Sequence, residues 1–433
     1  MHYFYAFQCH FCIKKRYTNT KEFSYVYKRT IEHTIYVKGA LMETWKRTVY
    51  ISLICVLCTS FGVSQLAPIL PLYFHDLGVE TPEAMSLWSG LATGITFLIV
   101  CLAAPFWGRL ADRKGRKITL IRSSFGMALC NILIAFQTTP EGVVFIRLIQ
   151  GLVSGFYTAT ITLIASETPF ERTGWALGML ASANLAGSLI GPLLGGYIAD
   201  TVGIRNDFIL VGILMGIAGI LATFFIHENY QPKPNVEKLT IAKLKEKIPE
   251  FNSIIALCVA SFIYAICIMS LQPIISVYIK GIVPSNTENL AFIAGAVFSA
   301  MGIAQLLSSS PLGKLVDKIG PRKVLVVSLI YVGILNIPQA YVTDIYQLAT
   351  IRFLQGFGLG GMLPALNTYL SSKTPREFTG QIFSYNQSSL FFGYFLGAIG
   401  GSSLMAWLGF TTLFWVSGGL FILTALWIGL KLK

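Results

Sequence analysis

Asp112 and Asp317 each sit in a short basic phrase, GRLADRKGRK at 108–117 and GKLVDKIGPRK at 313–323. A carboxylate facing the N-terminus of a neighbouring helix is favoured by the helix dipole, typically by about 0.3–1 kcal/mol and up to ~2 when partly buried. Gly108 lets a second backbone approach closely, and Gly115 permits a tight turn; Gly313 and Gly320 repeat them. Each phrase therefore has the parts of a reversible helix-end latch. A plain stop-transfer signal needs the Lys and Arg, but not an Asp and two Gly at fixed spacing twice. A second pair, Arg147 and Gln150, lies one turn apart in an apolar run and recurs as Arg352 and Gln355. A guanidinium in a membrane is costly enough to suggest charge or proton transfer, although Glu141, six residues away, also allows Arg147 to snorkel. Arg122, near the end of a run, is expected to snorkel.

The elements that must position these groups are membrane helices. The chain is 54% hydrophobic and only 12% charged, against roughly 25% charged in soluble chains, and its mean hydropathy is +0.65. Spanning helices need about 20 apolar residues. Twelve such runs lie at 49–73, 88–107, 118–136, 143–166, 174–199, 208–226, 252–279, 291–312, 324–341, 346–371, 380–405 and 411–430. A net charge of +13 is in the range of nucleic-acid binders, but its placement excludes that reading. With Lys46 and Arg47 cytoplasmic, 21 Lys and Arg fall in loops on that side and two, Arg205 and Lys280, on the other. That is the positive-inside pattern, with both termini cytoplasmic. Six of the eight cysteines lie in spans, so no disulfide framework is expected. Residues 1–41 are basic and aromatic without signal-peptide order. Cys9, His10 and Cys12 are too few to specify zinc, and translation is expected to begin at Met42.

The chain repeats itself. Gly90, Gly108, Asp112, Gly115, Arg147, Gln150, Gly151 and Gly155 recur 205 residues later as Gly295, Gly313, Asp317, Gly320, Arg352, Gln355, Gly356 and Gly360. After one inserted residue, Gly187, Gly191, Gly195 and Gly203 recur at 206 as Gly393, Gly397, Gly401 and Gly409. The expected organisation is an all-α membrane protein of two homologous six-helix bundles, 42–226 and 251–433, joined by a cytoplasmic linker at 227–250. Such bundles suit alternating access around a central site. A short amphipathic helix of the linker can lie on the membrane surface.

These features resemble the major facilitator superfamily. Gly108, Asp112, Arg113, Gly115, Arg116 and Lys117 fill its loop signature, and Gly313, Asp317, Gly320, Arg322 and Lys323 keep most of it. The resemblance implies that Asp112 latches to the eleventh span near Gly380, and Asp317 to the fifth near Gly174, when the cytoplasmic side is closed. GSLIGPLLGG, with Gly187, Gly191, Pro192, Gly195 and Gly196, is similar to the fifth-span pattern of drug/proton antiporters, where it seals the outward side; Ala398 replaces the proline in the second copy. Arg147 and Gln150 match those antiporters' proton-transfer signature. Pro68, Pro71, APFWGRLADRKGRK and TGWALG look most like efflux transporters of the MdtG type.

The implied activity is secondary active export of amphipathic drugs or metabolites by proton antiport. The alternative is an uptake or metabolite carrier of the same fold. No clustered catalytic groups occur in the spans, so no enzyme, cofactor or metal is expected. The expected partners are a small-molecule substrate, protons and the lipid of the inner (plasma) membrane, with the chain a monomer. No Asp or Glu falls inside a run; Asp76, Glu141, Asp200, Asp207 and Asp344 lie at extracytoplasmic ends. A cavity of aromatic, aliphatic and amide side chains then favours neutral, zwitterionic or weakly charged cargo. By family analogy, its candidate lining is Gln65, Tyr157, Tyr264, Gln272 and Asn367, then Asn184, Gln305, Asn386 and Gln387, some being satisfied interhelical contacts instead.

Overall fold

The computed structural model describes residues 44–229, 241–248, 250–284, 287–375 and 377–431. The 1–41 extension with Cys9 and Cys12, and residues 230–240 of the linker, lie outside them. Lipid offers the backbone no hydrogen-bond partners, so a spanning segment must satisfy its own. Accordingly, every regular element among the described residues is helical. Ten helices are long and apolar enough to cross a membrane. The longest, Thr379–Lys431, is two helices meeting at Gly409, where φ is 80°. Ile345–Lys373 adds the twelfth; its polar and glycine residues dilute its hydropathy without preventing the helix.

Three spans are interrupted, each for a local reason. The first runs Thr44–Ser64 and resumes as Leu66–Asp76, because Pro68 has no N–H for the Ser64 carbonyl. The fourth breaks between Pro140–Val153 and Phe156–Glu167 at Gly155, with φ of 115°. The seventh breaks between Leu271 and Ile275 around Pro273. The linker helix Ile241–Lys247 does not simply lie on a surface: Leu244 is fully buried in an apolar cluster with Phe251, Leu325 and Leu370 of the second half.

The sequence repeat is also a structural one. The Tyr73 hydroxyl donates to the Ile134 carbonyl at 2.7 Å while its ring packs on Phe208. Tyr278, 205 positions on, donates to the Gln339 carbonyl at 2.6 Å and packs on Phe414. Gly115 and Gly320, at φ of 93° and 92°, make the same turn into the third and ninth spans.

The apolar cores differ between the two ends of the molecule. Towards the basic loops, each half has its own: Trp45, Leu120 and Met215 belong to one, Leu257, Leu329 and Phe421 to the other. At the opposite face a single core runs through both, from Tyr73 and Phe208 to Tyr278 and Phe414. Burying one continuous apolar surface holds the halves together at that end.

Candidate functional site

Glycine contacts close the face opposite the basic loops. Gly187, Gly191 and Gly195 line a stripe against the first span, meeting the backbone at Leu57 and Phe61 and the side chain of Gln65. A methyl group on Gly295 would collide with the Pro192 carbonyl, and one on Gly90 with the Ala398 carbonyl. These are the same contact in the two copies, the eighth span against the fifth and the second against the eleventh. Gly196 meets the Ala291 carbonyl. Two polar contacts are added: the Ser299 hydroxyl of the eighth span donates to the Leu189 carbonyl of the fifth at 2.8 Å, and the Asp200 carboxylate, on the fifth span, accepts from the Ala291 N–H at 3.1 Å and the Phe292 N–H at 2.7 Å. These amides open the eighth span, so a first-half carboxylate caps a second-half helix.

The basic face is open. Nothing approaches the Cβ positions of Gly108, Gly174, Gly313 or Gly380, and Asp317 is exposed. The Asp112 backbone is in the second span's helix; its side chain lies outside the described part of the structure. Arg113 is exposed, and the Arg322 guanidinium donates to the Gly429 carbonyl at 2.6 Å. The N-terminus of the third span is held from its own half instead. Glu228 accepts from the amides of Arg116 and Lys117, each at 2.8 Å. By sequence Glu228 belongs only to the 227–250 linker; its one signal there is an acid two residues past a span.

Two expectations about arginine are corrected or resolved. Arg122 does not snorkel. Its guanidinium stacks 3.5 Å over Trp107 and donates to the carbonyls of Leu152 and Ser154 at 3.1 and 3.0 Å, while the Trp107 indole N–H donates to Leu152 at 2.7 Å. Gly155 ends the helix there, leaving carbonyls that need donors. Arg122→Ala should therefore lower thermal stability by about 1–3 kcal/mol, measured as a shift in melting temperature of the detergent-solubilised protein. Arg147 is 6% exposed and donates to Gln150 Oε1 at 2.7 Å, so it is bound within the fold rather than reaching the interface.

The expectation that no span contains a carboxylate is overturned. The sixth span is Ile204–Phe225, not 208–226, so Asp207 lies in its first turn, with 0% exposure. Its Oδ2 accepts from Gln65 Nε2 at 2.8 Å. Gln65 is at the break of the first span, also fully buried. Asp207 makes no ion pair among the described residues. Other charged groups of the first half have their own partners: Arg205 donates to the Gln137 carbonyl, Arg147 to Gln150, and Asp200 is on the eighth-span amides. Two buried oxygens of the pair, Asp207 Oδ1 and Gln65 Oε1, have no hydrogen-bond partner. A proton on Oδ1 turns it from an unpartnered acceptor into a donor, for which the unpartnered Oε1 of the same pair is a chemically matched acceptor. The repeat has no second copy, since Leu413 occupies the position matching Asp207 and Ser270 that matching Gln65.

The other polar candidates divide. Tyr264, Gln272 and Gln305 line a cavity of about 190 Å³ in the second half, together with Arg352 and Gln355. Arg352 contradicts a cavity lined only by aromatic, aliphatic and amide groups, and removes that basis for weakly charged cargo. Asn184 accepts from the Ser60 hydroxyl at 2.7 Å. Asn386 is buried, while Asn367 and Gln387 are exposed and Tyr157 partly so.

The Major Facilitator Superfamily model matches residues 52–282 and 257–432. Multidrug resistance protein MdtG of Salmonella arizonae is 39% identical over 383 residues, 88% of this chain and 95% of that protein. The protein of the same name from Dickeya zeae is 39% identical over 391 residues, 90% and 96% of the two chains. Among solved structures, a mutant of nucleoside transporter NupG superposes with a TM-score of 0.72 at 13% identity, covering 89% of this chain and all of that one. The human organic anion transporter MFSD10 gives 0.65 at 14%, covering 89% and 99%. At those identities the structural likeness shows the fold alone.

Proposed function

Because this chain belongs to the major facilitator superfamily, we propose that it exports amphipathic compounds across the inner membrane in exchange for protons, as a monomer. Its basic face, with both termini, is then cytoplasmic, and the conformation described above is open to the cytoplasm. The multidrug resistance proteins to which it is 39% identical support drug-like cargo.

The observation that carries proton coupling is the buried Asp207 and Gln65 pair with two unpartnered oxygens. A buried unsatisfied polar atom costs about 1–3 kcal/mol. The proton that repairs both oxygens stabilises this conformation over one in which the pair is exposed to water. An antiporter needs that bias: a proton taken from outside favours turning inward, and its release to the cytoplasm leaves a carboxylate that favours the return with cargo. Arg147 and Gln150, buried and joined by their mutual hydrogen bond, keep a fixed positive charge in the same bundle. The Asp112 and Asp317 loops become the opposing clasp when the cytoplasmic side closes, as Asp200 is on the outer side.

The test is efflux of a fluorescent dye from preloaded cells, with and without an uncoupler. Expression of the chain should accelerate efflux, and the uncoupler should abolish the gain. No acceleration with the protein in the membrane overturns export; acceleration insensitive to the uncoupler overturns proton coupling.

A further inference from the structure

Two of the membrane arginines, 147 and 352, occupy matching positions, each with a glutamine one turn on; both leave Nε unpartnered, yet only Arg147 is bound by that glutamine. In the first half, Gln150 gives its oxygen to Arg147 at 2.7 Å. In the second, Gln355 turns away. Its Nε2 donates to Asn336 Oδ1 at 2.9 Å, and its Oε1 accepts from Gln339 Nε2 at 3.2 Å. One residue of this amide network differs between the halves. Gln339 stands where the repeat places Ile134, whose side chain has no donor to draw Gln150 aside. Arg352 is left 3% exposed, its hydrogen bond among the described residues going to the Met301 sulfur at 3.9 Å, with Nε and one terminal nitrogen unpartnered.

This guanidinium is in the wall of the 190 Å³ cavity, beside Tyr264, Gln272 and Gln305, with Phe298 and Phe421 supplying apolar wall. Arginine stays charged and presents donors in a planar fork that matches a carboxylate. A buried cation without a counter-charge is expensive in a membrane and marks a binding position by default. The cavity is below the ~300–1,000 Å³ of drug-sized pockets, so it takes one end of a molecule rather than the whole.

We propose that Arg352 and the cavity beside it form an anion subsite that receives the carboxylate end of amphipathic cargo, its apolar remainder extending into the central opening. The proposal rests on the exporter reading for the word cargo, but the binding site itself does not.

The experiment uses the whole chain in detergent, titrated with phenylbutyrate and with its neutral isostere phenylbutyramide, in chloride-free buffer. The wild type should bind the carboxylate at least about tenfold more tightly than the amide. Arg352→Gln should reduce that ratio to about one with amide binding unchanged, which also shows that the variant is folded. Gln339→Ile, which installs the first-half residue, should release Gln355 to Arg352 and lower the ratio while keeping the charge. Arg352→Lys should retain part of it. A wild type with no carboxylate preference, or a preference unchanged in Arg352→Gln, overturns the proposal. So does chloride binding that depends on Arg352 while phenylbutyrate gains nothing over the amide, since the site is then one for small inorganic anions. Efflux of a neutral dye by the wild type separates the two readings: its absence defeats export without touching the binding ratio.

Discussion

Asp207→Asn should abolish uphill export while the protein remains inserted and continues to equilibrate cargo down a gradient. Asparagine has nearly the shape of aspartic acid and offers both an N–H donor and a carbonyl acceptor, so it reproduces the protonated side chain facing Gln65. The pair is then satisfied without a proton, and nothing in it can be released to the cytoplasm. Proton-driven dye efflux should fall more than about tenfold, the factor given by losing 1.4 kcal/mol of bias between the two access states. Downhill counterflow in proteoliposomes should persist within a factor of about two. Gln65→Leu removes the partner and leaves the acid in place, so it should weaken coupling without locking the protonated form. If Asp207→Asn exports against a gradient at the normal rate, the acid is structural and the coupling group lies elsewhere.

Asp200→Asn should shift the molecule towards its outward-open form. The carboxylate accepts two eighth-span amides at 3.1 and 2.7 Å, and hydrogen bonds to a charged group contribute roughly 1.5–3 kcal/mol when intact. The amide retains one acceptor oxygen but loses the charge that faces the helix N-terminus. A net loss of about 1.4 kcal/mol moves the ratio of the two forms about tenfold. Spin labels at Thr201→Cys and Glu288→Cys in a cysteine-free chain, both positions being exposed, should show the longer-distance population growing accordingly. Transport should slow because the outer side closes less completely. An unchanged distance distribution would leave the outer closure to the glycine contacts and the shared apolar core, with no measurable share for Asp200.

Much of the architecture was legible because membrane insertion reads simple quantities. Run length and charge placement mark helices and their direction, since lipid penalises unsatisfied backbone and buried charge residue by residue. The duplication was visible in glycines because close helix approach tolerates nothing larger, and the structure puts Gly90 and Gly295 on matching carbonyls. The candidate chemistry was legible only in part. Asp207 looked like a loop residue because the apolar run begins at Phe208, and a helix can draw one acid into its first turn when a neighbour receives it. That neighbour, Gln65, is 142 positions away.

What the sequence by itself determined was therefore the spans, the twofold repeat, the turns at Gly115 and Gly320, and the residue types available to the site. Which access state the chain occupies, and which polar groups are spare, were decided only by tertiary structure. Arg147 and Arg352 carry the same local signature, yet one is matched by its glutamine and the other is not. In the amide network around that glutamine the halves differ at Ile134 against Gln339, a residue outside the motif that reaches the glutamine across a helix interface. Hydrogen bonds between spans are a competition among all donors and acceptors within about 3 Å, and only folding decides which of them meet.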